Sequence, residues 1–298
     1  MNGREAERKI GVALGGGGGR AFAHLGVLAR LEEAGVTPYC LSGSSMGAVL
    51  GALYARDPRA DRVIPEILDF FRKSSLLGAL ARPNRNDGLH SRRGPLGRVG
   101  KKLATLSVAA AVSLRRGLRT LHPVARAVDA LFPGNGPDIG SLALPFGLNA
   151  LDLTEGRVRD FAEGPLNPLL KAAVAVGLVF APFRHDGRDY ADAAPICPVP
   201  VTLCRKLGAE QVIAVDICNP LDRDHRADTG FDVVRRILSI QSDLLHQAEI
   251  AGADIVVKPE VSDIFWGDFS RIDEAVSRGR DAAEAALPLI RALAEKGA

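Results

Sequence analysis

The sequence is short of the features that hold small secreted or metal-built folds together. Only four cysteines occur in 298 residues, Cys40, Cys197, Cys204 and Cys218, with no Cys-x-x-Cys spacing and no paired histidines beside them. That pattern argues against a structural zinc site and a disulfide framework, and it fits a reducing compartment. Aromatic residues are scarce at 5%, so glycine, alanine and aliphatic side chains must fill the core by close packing. Long apolar runs are missing as well. The longest outside the strand-like segments is Leu103 to Leu114, whereas a bilayer-spanning helix takes about 20 apolar residues. The first nine residues are charged and lack the apolar stretch of a signal peptide. These absences point to a cytoplasmic protein able to touch a membrane from the inner face.

What is present is 47% hydrophobic residues and a net charge of only +3. That supports a large α/β body, read here as one domain over residues 1–298. Ile10 to Leu14 reads as a buried strand stopped by glycine, and Gly15 to Gly19 as a turn. Ala21 to Ala34 has helical spacing, with Leu25, Leu28 and Leu31 on one side. Tyr39 to Ser42 reads as a second strand, and Ser45 opens a helix reaching Tyr54. Pro145 to Asp152, Val212 to Asp216 and Asp254 to Val257 read as further strands. Phe231 to Glu249 and Arg271 to Glu295 read as helices. Strands alternating with helices predict a mostly parallel sheet inside a three-layer α/β/α sandwich.

One stretch departs from that rhythm. From Arg82 to Arg126 eleven basic residues face a single acidic one, Asp87, a local excess of ten positive charges. Residues 77–140 read as a basic helical insertion or cap. Leu118, Leu121, Val124, Val128 and Leu131 recur at helical spacing with arginines largely off that stripe. This suits a helix in the interface of an anionic membrane; a solvated surface is the plainer reading. Aromatic interleaving is absent, so nucleic acid is not expected as a partner.

Two motifs carry chemistry. Gly43-Ser44-Ser45-Met46-Gly47 matches Gly-x-Ser-x-Gly between a strand and a helix, where small neighbours allow a sharp turn that presents Ser45 as a nucleophile. A helix-capping serine in an ordinary turn gives the same five letters. Gly15 to Gly19, followed by Arg20, are glycines able to turn backbone N–H groups toward one anion, a phosphate or an oxyanion. Gly16-x-Gly18-x-x-Ala21 also fits the dinucleotide fingerprint, giving a nucleotide-binding oxidoreductase as the alternative. That reading needs a carboxylate about 20 residues later, and Leu41 to Ser44 supplies none. None of the six histidines lies in a segment resembling a catalytic loop, and His24 reads as a packing residue. Asp192, flanked by small residues in Tyr190-Ala191-Asp192-Ala193-Ala194-Pro195, is the better candidate base. A partly desolvated carboxylate keeps a raised pKa and accepts a serine proton without histidine.

Together these segments resemble the patatin-like phospholipases over nearly the whole chain. Leu14 to Leu28 resembles that family's oxyanion loop and first helix, Gly43 to Gly47 its nucleophile elbow, and Phe146 to Gly156 its central strand and turn. Phe180 to Asp192 resembles the approach to its catalytic aspartate, and Pro200 to Asp216 the helix and strand beyond that aspartate. The resemblance implies a lipid acyl hydrolase acting through an acyl-enzyme on a phospholipid or lysophospholipid. It assigns Ser45 and Asp192 as a catalytic dyad, Gly16, Gly17, Gly18, Gly19 and Arg20 as the oxyanion loop, and no cofactor or metal. A non-catalytic lipid-binding relative is the alternative within the family. The family usually has glycine where Ala21 and Ala193 stand, which predicts backbone strain of order 1 kcal/mol at each if its φ is positive.

Overall fold

The computed structural model describes residues 8–73, 122–177, 179–222 and 228–295. Its centre is one eight-stranded sheet. The strands are β1 (Ile10–Leu14), β2 (Cys40–Gly43), β3 (Phe146–Asp152), β4 (Arg157–Phe161), β5 (Phe183–His185), β6 (Arg188–Ala191), β7 (Gln211–Val215) and β8 (Ile255–Val257). They run β5-β6-β3-β2-β1-β7-β8, with β4 added to β3. Pairings β1–β2, β1–β7, β2–β3 and β7–β8 are parallel. Those of β3 with β4, β3 with β6 and β5 with β6 are antiparallel.

Alternation along the strands builds the layers. Ile10, Val12 and Leu14 of β1, with Ile213 and Val215 of β7, enter the main core. Helices α1 (Ala23–Glu33), α2 (Met46–Arg56), α3 (Ala60–Lys73), α4 (His122–Leu131), α5 (Leu166–Ala173) and the final helix, Ile272–Glu295, contribute to that core. Ala13, Val212 and Ala214 point the other way and meet Val201 and Cys204 of helix α6 (Val201–Lys206). Helix α7 (Gly230–Ile250) lies on this second side, and Ile272–Glu295 is α8. The α/β/α sandwich is therefore present, with a thick layer on one face and a thin one on the other. Helices α1 and α8 cross at contact distance because Gly26 and Gly279 carry no Cβ. One at Gly26 would overlap the Val276 carbonyl, and one at Gly279 the Ala23 carbonyl.

Two expectations change in detail. The predicted helix from Ala21 begins instead as a 3-10 turn, Gly18–Phe22, and becomes α-helical at Ala23. Most of the basic stretch 77–140 lies outside the described residues. Of its apolar stripe, Val128 is buried in the main core and Leu131 packs against that core, so this end of the stripe faces protein.

The antiparallel corner matters most for function. β4 occupies one edge of β3 from Leu148 to Asp152. β2 pairs with Phe146 to Leu148, and β6 pairs with Leu151 and Asp152. A strand has two edges, so β2 and β6 must share the other one. They run toward each other along it and stop with Asn149 and Ala150 between them. β5 and β6 are joined by Asp186-Gly187, both at positive φ (46° and 75°), a turn that matches the twist of a hairpin.

Candidate active site

Ser45 and Asp192 leave the sheet at that gap. Ser45 follows β2 and precedes α2, and its φ of 52° and ψ of −126° are unusual for a residue with a Cβ. Such backbones persist only where the surroundings over-determine them. Here the determinants are Gly43 and Gly47. A Cβ on Gly43 would come within 2.6 Å of the Ala48 backbone, and one on Gly47 within 2.5 Å of the Gly15 carbonyl oxygen. The turn is thus pressed between its own helix and the glycine loop. Among the described residues, the N–H groups of Met46 and Gly47 meet no acceptor, which leaves the positive end of α2 open beside Ser45.

Ser45 Oγ donates to Asp192 Oδ2 at 2.5 Å, and both residues are buried, at 7% and 4% exposure. The Ala194 N–H donates to Asp192 Oδ1 at 2.8 Å, and the Asp192 N–H to the Ala175 carbonyl at 2.9 Å. Burial, the largest influence, pushes the Asp192 carboxyl up to about 6 against the pull of the Ser45 and Ala194 donors. Neither Ala193 nor Ala21 has a positive φ, so alanine meets no left-handed strain at either position.

The loop after Asp192 is tied down by residues that no sequence motif singles out. Asn149, in the gap between β2 and β6, donates through Nδ2 to the Cys197 carbonyl at 3.1 Å. Ser42 Oγ donates to the Pro200 carbonyl at 2.7 Å. The Gly16 N–H donates to the Pro198 carbonyl at 2.9 Å, linking this loop to the glycine run. An apolar strand such as β3 gives one hint of this, the lone amide of Asn149.

Within the glycine run the N–H groups divide. Gly15 and Gly16 donate to the Val215 and Pro198 carbonyls, Gly19 to the Trp266 carbonyl, and Arg20 to the Gly17 carbonyl. Among the described residues no acceptor meets the N–H of Gly17 or Gly18. The loop touches the nucleophile, since a Cβ at Gly16 would lie 3.1 Å from that of Ser45. His24, fully buried, braces the loop through Nε2, 2.7 Å from the Gly15 carbonyl. Burial pushes His24 down to about 4 despite that carbonyl and the charge of Asp216, so the ring is neutral and Nε2 carries its hydrogen.

The patatin-like phospholipase family profile matches residues 12–204, a span holding the glycine loop, the elbow and Asp192. The chain belongs to that family. This sets aside the oxidoreductase alternative, and β2 indeed ends in Gly43 with no carboxylate. An NTE family protein of Mycobacterium tuberculosis is 31% identical over 70% of this chain and 49% of its own length. The lysophospholipase NTE1 of Coccidioides immitis is 25% identical over 91% of this chain and 17% of its own. The chain thus spans about half the length of the mycobacterial relative. Among solved structures, VipD from Legionella pneumophila aligns at 13% identity and a TM-score of 0.47, over 95% of this chain and 67% of that one. Human group IVD cytosolic phospholipase A2 aligns at 12% and 0.47, over 98% and 61%.

Beside the patatin-like site lies a pocket of about 560 Å³. One wall is Ala194, Pro195 and Pro198, from the loop that carries Asp192. Another is Cys218 and Asn219 beyond β7, and α7 forms a third through Ser239, Ser242 and His246. Arg20 joins this wall by donating to Asn219 Oδ1.

Behind Cys218 sits a buried charge cluster. Asp216 accepts from the Cys218 N–H at 2.9 Å, and His246 Nε2 and Lys258 Nζ each lie 3.3 Å from its carboxylate. Burial alone would raise the Asp216 carboxyl. His246, the Cys218 N–H and Lys258 outweigh it and hold it down at about 2. Donor atoms of Asp216, Cys218 and His246 lie within 4.8 Å of one another, close enough for a metal ion. Lys258 already supplies the countercharge there, so the cluster reads as an ion-pair anchor for α7.

Proposed function

We propose that this chain hydrolyses a carboxylic ester of a lipid, a phospholipid or lysophospholipid, through an acyl-enzyme on Ser45. The observation that carries the reading is the 2.5 Å hydrogen bond from Ser45 Oγ to a carboxylate that is itself buried. In the first step Oγ attacks the ester carbonyl while Asp192 takes its proton. The carbonyl oxygen becomes negative, and the free N–H groups of Gly17 and Gly18 are the donors available in the glycine loop to meet it. Collapse expels the alcohol, protonated from Asp192. Asp192 then takes a proton from water, the hydroxide attacks the acyl carbonyl, and Ser45 leaves with that proton. The lipid class is supported by the family and by the lysophospholipase name of the fungal relative.

A carboxylate near 6 is suited to this role: largely ionised at neutral pH, yet basic enough to draw the proton. The substrate is met at a membrane surface from the cytoplasmic side, with the basic residues 82–126 supplying attraction to anionic lipid. Among the described residues no helix is long and apolar enough to cross a membrane.

The test is active-site labelling with a fluorophosphonate probe. Labelling maps to Ser45, disappears in Ser45→Ala and weakens in Asp192→Asn. An unlabelled but folded protein overturns the reading in favour of a non-catalytic relative.

A further inference from the structure

Helix α7 is built inside out. A helix on the surface of a globular domain turns its apolar stripe to the core and its polar face to water. In α7, Val233, Val234, Ile237, Ile240, Leu244 and Leu245 are between 38% and 63% exposed. At about 100° per residue, these positions with Phe231 and Leu238 cover roughly half the circumference. Gln241 and Ala248 are the other members of that arc. The opposite half is polar and turned inward. Asp232, Ser239, Ser242, Asp243 and Glu249 are half-buried, and His246 is the helix's one buried residue.

Its attachments are polar too. His246 approaches Asp216 in the cluster behind the pocket. Glu249 accepts from the backbone and hydroxyl of Thr202, at 2.7 and 3.0 Å. Thr229 caps the other end in a reciprocal box with Asp232. The inward half therefore has ample reason to stay where it is. The outward half has no partner among the described residues, and an exposed apolar face of this size marks an interaction surface.

We infer that the outer face of α7 is the surface by which this protein sits on a lipid aggregate. The inference rests on the lipid-hydrolase reading for its choice of occupant, and two observations argue for that occupant. Arg235 and Arg236 border the apolar arc on its two margins, where long cationic side chains reach the phosphates of a headgroup layer while their stems stay with the chains. The inner face of the same helix walls the pocket beside Ala194, whose N–H holds Asp192. Seating the outer face in a lipid surface places that pocket at the surface, so an ester moves from the aggregate toward Ser45 around one helix.

The experiment is flotation with vesicles of phosphatidylcholine, alone and mixed with phosphatidylglycerol. It uses full-length Ser45→Ala protein, so the lipid is not consumed. Adding Val234→Gln, Ile237→Gln and Leu244→Gln together lowers partition into both vesicle types about tenfold or more, since three apolar side chains no longer leave water. In the otherwise native protein the same three changes leave cleavage of a short water-soluble ester unaltered and reduce cleavage of vesicle lipid in step with partition. Unchanged partition of the triple variant overturns the inference, as does failure of the parent to float. It is also overturned if the parent is a dimer, the triple variant a monomer, and partition the same in both: the face then belongs to a second copy. Loss of flotation in the triple variant, with no fluorophosphonate labelling of Ser45 in the native protein, sinks the catalytic reading and leaves the α7 surface standing.

Discussion

The hydroxyl of Ser45 donates to Oδ2 of Asp192 at 2.5 Å, from residues 147 positions apart. They meet because β2 and β6 run toward each other along one edge of β3 and stop with Asn149 and Ala150 between them. The dyad therefore depends on the antiparallel corner of the sheet, and its geometry and that of its neighbours can be tested in four ways.

Activity should rise with pH through about 6. Asp192 must be ionised to accept the Ser45 proton, and its burial raises that ionisation to about 6. The dependence of kcat/KM on pH reports it as a single ascending limb. Asp192→Asn should remove the limb and lower kcat/KM by about 10²–10⁴-fold, the usual contribution of a positioned base. A flat profile in the native enzyme from pH 5 to 8 would contradict the assignment.

The same substitution should stabilise the protein in alkali. Asp192 has a folded pKa raised above its ordinary value, so the buried carboxyl favours folding while protonated and loses that advantage as pH rises through about 6. Asn keeps a neutral group in the site. Asp192→Asn should unfold at a higher denaturant midpoint at pH 8, by on the order of 1–3 kcal/mol. The difference should vanish below about pH 4, where both proteins are neutral there. Equal midpoints at pH 8 would show that the carboxylate is not held against its preference.

Backbone strain at Ser45 is separable from chemistry. At φ 52° and ψ −126°, glycine is favoured over any residue with a Cβ. Ser45→Ala and Ser45→Gly should both be inactive, but the glycine variant should be the more stable by about 1 kcal/mol, less its greater freedom when unfolded. Thermal denaturation of the pair reads the difference directly, and a glycine variant less stable than the alanine one would contradict the strained turn.

Asp216→Asn should loosen α7. Asp216 is fully buried and held at about 2, so its contribution to stability is present above about pH 4 and lost as pH falls through 2. At pH 7 the variant should be less stable by about 2–4 kcal/mol, because His246 and Lys258 lose their counterion. Amide exchange in α7 should quicken, with the gap to the native protein closing between pH 4 and 2. Unchanged exchange in α7 would mean that Thr202 and Glu249 anchor the helix alone.

Much of this was legible in sequence where local rules suffice. The apolar run Ile10–Leu14 stopped by five glycines reads as a strand entering a turn, and the structure places the strand over the same residues. Gly43 and Gly47 around Ser45 signal a tight strand-to-helix turn, and both prove indispensable through backbone contacts under 3 Å. Phe231 to Glu249 has the periodicity of a helix and is one. Strands β5 and β6 went unread, although Asp186-Gly187 is a hairpin signal, because each flanking run is too short to show its own alternation.

Tertiary structure decided what periodicity cannot express. The sequence determined that an α/β sandwich forms, that a serine sits on a sharp turn and that a glycine loop precedes it, because each is written in residues close along the chain. Only the fold decided which N–H groups of that loop are free, since Gly16 and Gly19 are claimed by Pro198 and Trp266 from distant segments. It alone decided that Asp192 is buried against Ser45 and not solvated in its turn, because burial is a property of all three layers together. And it alone decided which face of α7 looks outward: helical spacing gives the two faces, but only the position of Asp216 beneath His246 chooses between them.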